Sequence, residues 1–232
     1  MLEKKKDSLR VIKIKVLRAL ESSCEYHDLL SICGGSLLRV INTLCSFLYH
    51  KNPAIKWNAV TAIGSAVSSL AETDIESARN IIRRLMWNLN DESGGIGWGS
   101  VEAMGEILAK NKKLAREYCP LLLSYARKDG NFQEHVLMQR GVLWGIGRFC
   151  QAYPAMLGDT AIKHIMPFLE SDDAHVRGLS AWVIGYLKAA ESKQKLEQLK
   201  RDDTIIQIYY KEKYIDIRVK DLVQEALDRI KK

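Results

Sequence analysis

Gln139-Arg140-Gly141-Val142-Leu143-Trp144-Gly145-Ile146-Gly147 sets two apolar residues, Val142 and Ile146, one helical turn apart ahead of a glycine. The arrangement recurs along the chain. Lys56-Trp57-Asn58-Ala59-Val60-Thr61-Ala62-Ile63-Gly64 carries Ala59 and Ile63, Gly97 to Gly105 carries Ser100 and Met104, and Arg177 to Gly185 carries Ser180 and Ile184. A degenerate fifth copy runs from Arg218 to Ala226. The intervals from 64 to 105, 147, 185 and 226 are 41, 42, 38 and 41 residues. A period of ~40–47 residues is that of stacked helix pairs, and the i, i+4 stripe of small or apolar residues makes each copy a helix.

Between these copies lie further amphipathic segments, Leu37–Leu48, Ile75–Leu89, Leu114–Tyr125, Ile162–Leu169 and Leu196–Tyr209. Turn chemistry joins them: Asn52-Pro53, Asp91-Glu92-Ser93-Gly94-Gly95, Asp129-Gly130-Asn131 and Ser171-Asp172-Asp173. Thr204-Ile205-Ile206-Gln207-Ile208-Tyr209-Tyr210 leans to strand by propensity, but its place in the period predicts helix. A pair of amphipathic helices cannot bury its apolar face alone, so successive pairs stack. The expected fold is all-α, a right-handed α-α superhelix of about five helix pairs. It forms one domain over 1–232, with a basic N-terminal helix (about Ser8–Ser22) and linker in 1–33 and the repeats in 34–232.

Two segments carry a family likeness. Asn52-Pro53-Ala54-Ile55-Lys56…Ala59…Ile63-Gly64 and Asp172-Asp173-Ala174-His175-Val176-Arg177…Ser180…Ile184-Gly185 resemble HEAT repeats of the bilin-lyase-like subtype. Each has an acidic or Pro-containing turn, an apolar-basic pair, then small-x-x-x-apolar-Gly. The resemblance covers roughly 34–232, departs over Trp87–Trp98, and is similar to an uncharacterised bacterial family of small HEAT-type proteins. It implies a HEAT/armadillo-like solenoid with an extended concave surface; it brings no function and specifies no tetrapyrrole.

Composition narrows the classes. Hydrophobic residues make up 47% and charged residues 27%, which is ordinary for a folded chain and excludes global disorder. The longest apolar run, Gly178 to Leu187, is about half of what a bilayer span needs. Met1 to Asp7 is charged, without a signal-type apolar core, so a cytoplasmic protein with no membrane contact is expected. Cys24, Cys33, Cys45, Cys119 and Cys150 are odd in number and never form C-x-x-C, which argues against a disulfide framework. Cys24, His27 and Cys33 come nearest to a metal cluster but lack a fourth ligand, so no metal and no cofactor is expected.

The net charge of +7 sits at the ends. Residues 1–18 hold seven basic and two acidic residues, residues 188–232 twelve and nine, and the body between them sixteen and seventeen. The N-terminal cluster of Lys4, Lys5, Lys6, Arg10, Lys13, Lys15 and Arg18 reads as a solvated helix face, or as a secondary contact for an acidic partner.

The helical wheel supplies a candidate surface. Positions seven before, three before and one after the glycine column lie roughly opposite the core stripe. They read Trp57, Thr61 and Ser65; Trp98, Glu102 and Glu106; Arg140, Trp144 and Arg148; then Gly178, Trp182 and Tyr186. Each of four successive helices thus directs one Trp away from its own core. Two readings stand side by side. Trp can fill gaps between repeats while Arg140 or Arg148 pairs with Glu102 or Glu106, and Arg177, Lys56 and Arg218 hold inter-repeat turns through acids such as Asp172 or Asp173. Alternatively, Trp57, Trp98, Glu102, Glu106, Arg140, Trp144, Arg148, Trp182 and Tyr186 form a concave binding surface, since clustered Trp, Tyr and Arg dominate recognition hot spots.

As a binding surface it would hold a protein or peptide, with nucleic acid as the alternative partner. Alkylpurine DNA glycosylases of HEAT-like repeats are similar in size and use a Trp-and-carboxylate cleft. That resemblance would give Glu102 the role of electrostatic stabiliser, Trp98, Trp144 and Trp182 the walls for a cationic base, and Arg140 or Arg148 the phosphates. A Glu in place of Asp, Glu106 beside it and the neutral body of the chain oppose it. The five His are dispersed, and Gly94-Gly95-Ile96-Gly97-Trp98-Gly99 lacks the Walker Lys-Ser/Thr, so it reads as an inter-helix turn.

Overall fold

The computed structural model describes residues 8–22, 26–89, 97–211 and 213–231. The chain begins with α1 (Leu9–Glu21), α2 (Tyr26–Ile32), α3 (Leu37–Cys45) and α4 (Pro53–Thr73). It continues through α5 (Ile75–Leu89), α6 (Ser100–Lys110), α7 (Lys112–Ser124) and α8 (Val136–Ala152). Then come α9 (Thr160–Ile165), α10 (Ala174–Leu187), α11 (Lys193–Leu199), strands β1 (Ile205–Tyr210) and β2 (Lys213–Arg218), and α12 (Val219–Ile230). The expected linker in 1–33 contains α2, which buries Leu29. Lys4, Lys5, Lys6, Cys24 and the turn Asp91–Gly95 lie outside the described residues.

Capping explains where the helices start. Ser8 Oγ accepts from the Val11 N–H at α1, Asn52 Oδ1 from Ala54 ahead of Pro53 at α4, and Asp173 Oδ1 from Val176 at α10. Such caps satisfy N–H groups that the first helical turn leaves unpaired. The glycine-column helices α4, α6, α8, α10 and α12 pack each on the next and form one layer. Helices α5 and α7 pack back on α4 and α6 from the other side. The solenoid is thus two layers of helices with the core between them.

The glycine column has a packing cause. A Cβ on Gly105 would stand 2.5 Å from the carbonyl oxygen of Gly145, and one on Gly185 would stand 2.7 Å from Cα of Ala226. Only hydrogen fits where one helix backbone crosses the next. Gly99 has a different reason: its φ of 78° is left-handed and it is the N-cap of α6.

One expectation is corrected. Thr204–Tyr210 is not the helix that the period predicts; Ile205–Tyr210 pairs antiparallel with Lys213–Arg218, from Ile205 opposite Arg218 to Tyr210 opposite Lys213. Of the expected amphipathic segment Leu196–Tyr209, only Leu196–Leu199, the end of α11, is helical. The β-branched run obeys a period of two, burying Ile206, Ile208 and Tyr210 on one side. Among the described residues no single helix is long and apolar enough to cross a bilayer.

Candidate functional site

The hairpin lies on the glycine-column layer. Tyr209 stacks on Trp57 with ring centroids 4.9 Å apart and planes at 8°, and its hydroxyl is 3.3 Å from Thr61 Oγ1. Trp144 donates its indole N–H to the Tyr209 carbonyl at 2.7 Å, and its ring meets Trp57 at 4.4 Å. Trp57 belongs to α4 and Trp144 to α8, with α6 packed between these helices. For the two rings to meet, the layer must be concave. The hairpin runs into that concavity from the last repeat.

Gly178 seats it. At the position where earlier repeats carry Trp57, Trp98 and Arg140, α10 has a glycine, and a Cβ there would come within 2.7 Å of Ile206 Cδ1. Trp182 completes the seat, edge-on to Tyr210 at 6.0 Å.

The row of Trp is therefore mostly covered. Trp57, Trp144 and Trp182 are 8%, 3% and 2% exposed. Trp98 differs: it stands in the turn before α6, not on the helix where the wheel placed it, half-buried and edge-on to His135 at 5.6 Å. Tyr186 is turned elsewhere, its hydroxyl accepting from Gln151 Nε2 at 3.0 Å and Arg229 Nη2 at 3.1 Å.

The charged residues pair between repeats. Glu102 and Glu106 on α6 are 5% and 3% exposed. Lys56 Nζ reaches Glu102 Oε1 at 2.7 Å, and Arg148 Nε reaches Glu106 Oε2 at 2.7 Å with Lys110 Nζ 3.3 Å from Oε1. Arg140 instead bonds Asp173 through two nitrogens. Arg177 bonds Asp202 at 2.7 Å and the carbonyls of Ser171 and Asp172. The pairing of Arg148 with Glu106 fits the ion-pair reading of the row, while Glu102 is held by Lys56.

These pairs give a pH dependence. Burial pushes the Asp173 carboxyl up, but hydrogen bonds from Arg140 and the Val176 N–H, with the Arg140 charge, outweigh it and hold it below the usual range. Burial likewise raises Asp202, and bonds from Thr204 and Arg177 pull it lower. A carboxylate lowered on folding contributes stability above its unfolded value, about 3.9, and loses it as pH falls through the folded value. Acid melts of the wild type should therefore steepen below about pH 4, and Asp173→Asn should flatten that limb.

The hairpin leaves two cavities. The first, about 270 Å³, is walled by Trp57, Trp98, Trp144, Leu137 and Tyr209, with Lys56, Glu102 and Arg140 at its polar margin. His175 also faces it: burial first, then the Arg140 charge, lowers its pKa against the opposing Asp173, so it is neutral at pH 7 and Nε2 accepts from the Gln207 N–H at 3.3 Å. The second cavity, about 450 Å³, lies toward the hairpin tip between Glu106, Lys110, Arg148, Trp182, Tyr210 and Lys211. Trp144 and Tyr209 form the wall that the two share.

Of the candidate residues, Trp57, Trp98, Glu102, Arg140 and Trp144 thus meet at the first cavity, and Glu106, Arg148 and Trp182 at the second. Tyr209, Tyr210, Lys110 and Lys211 were missed. The alternation in Thr204–Tyr210, followed by Tyr214-Ile215-Asp216-Ile217, is the signal that would have found the hairpin.

A designed armadillo repeat protein in complex with the peptide (KR)4 superposes with a TM-score of 0.56 at 19% identity, covering 96% of this chain and 91% of that one. The fold is a HEAT- and armadillo-like solenoid. The crystal structure of an engineered protein superposes with a TM-score of 0.57 at 14% identity over 98% of this chain and 93% of that one. In sequence, an uncharacterized protein of Archaeoglobus fulgidus is 24% identical over 187 residues, which are 80% of this chain and 94% of that protein. No protein-family model matches the chain.

Proposed function

We propose that this solenoid is a binding scaffold that takes an apolar or aromatic side chain of a partner protein or peptide into the first cavity. The observation that carries the reading is the cavity itself: three Trp and Leu137 around an opening whose charges are already paired. Such a site anchors by apolar burial and orients by its rim. The designed armadillo protein of the same fold, solved with a peptide, supports a peptide as the kind of ligand.

Nucleic acid fits less well. The glycosylase-like reading needs Glu102 to face a cationic base, and Lys56 Nζ at 2.7 Å already takes that place.

The test is a peptide library with one aromatic residue per member, with binding read by tryptophan fluorescence. Trp98 is half-buried outside any helix, so Trp98→Ala should weaken the selected peptides at least about tenfold, the loss of one aromatic contact, and leave the melting temperature nearly unchanged. Unaltered affinity in Trp98→Ala would remove the cavity from the reading.

A further inference from the structure

We propose that the second cavity is a separate site for a small organic oxyanion, a phosphate monoester or carboxylate carried on a planar body. It stands apart from the peptide reading, because it uses the other side of the Trp144–Tyr209 wall.

Three cations, Lys110, Arg148 and Lys211, line this cavity against one carboxylate, Glu106. Glu106 is already neutralised: Arg148 holds both its oxygens, at 2.7 and 3.4 Å, and Lys110 lies 3.3 Å away. Arg148 spends one edge of its guanidinium on Glu106 and one long contact, 3.4 Å, on Gln151. A guanidinium has five N–H donors, so donors remain for a ligand. Lys110 also donates to Ser65 Oγ at 2.7 Å, which fixes its ammonium at the rim. Lys211 is 70% exposed, and its contact with Glu225 is long, 3.8 Å, to a carboxylate that also takes the Tyr210 hydroxyl and Arg229.

The cavity is thus a polar recess with an excess of positive charge and aromatic walls in Trp144, Trp182, Tyr209 and Tyr210. An anionic head would take charge-assisted bonds from the cations, and a flat body would lie against the rings. No covalent step is involved.

The full-length chain should be titrated with phenyl phosphate, inorganic phosphate and phenol at low salt, by calorimetry. We expect saturable one-to-one binding of phenyl phosphate, about tenfold tighter than inorganic phosphate, weakening as salt rises. Phenol should give no saturable heat. Lys110→Gln and Lys211→Gln remove surface charges while Arg148 still neutralises Glu106. Each should weaken phenyl phosphate about fivefold with an unchanged melting temperature. Trp98→Ala should bind it as the wild type does, so failure of the peptide reading leaves this one standing.

A phosphotyrosyl peptide binding tenfold tighter than phenyl phosphate would assign the anion to a partner segment, and equal affinity would assign it to a free small molecule. Absence of saturation with phenyl phosphate, or lysine variants that bind like the wild type, would overturn the proposal.

Discussion

Gly105→Ala is expected to cost about 3 kcal/mol of stability, at the upper end of overpacking effects. Taken alone, the change favours the helix, since alanine is the better helix former by ~1 kcal/mol. Packing reverses the sign. The added methyl would stand 2.5 Å from the carbonyl oxygen and 2.8 Å from the carbonyl carbon of Gly145, and a backbone has no rotamer into which to retreat. Helices α6 and α8 would have to part, loosening the contact at the centre of the array. Gly178→Ala is the control. Its Cβ would meet the terminal methyls of Ile206 and Leu222, which can turn aside, so its cost should stay under ~1 kcal/mol. Urea melts of the two variants measure both, and equal costs would contradict the backbone-contact argument.

Arg148→Ala should destabilise by a comparable ~3 kcal/mol, because it strands a carboxylate that is 3% exposed. Lys110, at 3.3 Å and 28% exposed, compensates only in part. The cost belongs to the unpaired charge and not to the lost attraction, so removing the charge should restore most of the stability. The pair Arg148→Leu/Glu106→Leu is therefore expected to melt close to the wild type. A double variant no more stable than Arg148→Ala would locate the loss in packing of the arginine stem instead.

The helical frame was legible because its determinants are local. The glycine column, the i, i+4 stripe and the turn residues at Asn52 and Asp173 each act within a few residues, and the copies Lys56–Gly64, Gln139–Gly147 and Arg177–Gly185 lie inside α4, α8 and α10. The hairpin was not legible in the same way. Its strand pattern is present in Ile206, Ile208 and Tyr210, but the repeat period argued for helix, and the residues that hold it stand far away: Thr61, Trp57 and Trp144 for Tyr209, and Gly178 for Ile206. The wheel oriented Trp57, Trp144 and Trp182 away from their own cores without revealing what covers them, because the cover comes from a different repeat. Trp98 stands off the helix for a local reason: the left-handed Gly99 caps α6, which begins at Ser100, three residues after the aligned copy begins at Gly97. Glu106 and Arg148 are candidate site residues and also a pair, since a concave floor must satisfy its charges before it can present any.

The claim on which both cavities depend is that the C-terminal hairpin lies inside the concave face and divides it. The most direct measurement is a set of proton NOEs between aromatic rings in the free, full-length chain. Tyr209 should show cross-peaks to Trp57, whose ring it stacks on at 4.9 Å, and Trp57 should show them to Trp144 at 4.4 Å. A Tyr209 ring with no cross-peak to Trp57 would put the hairpin outside the groove and contradict the account.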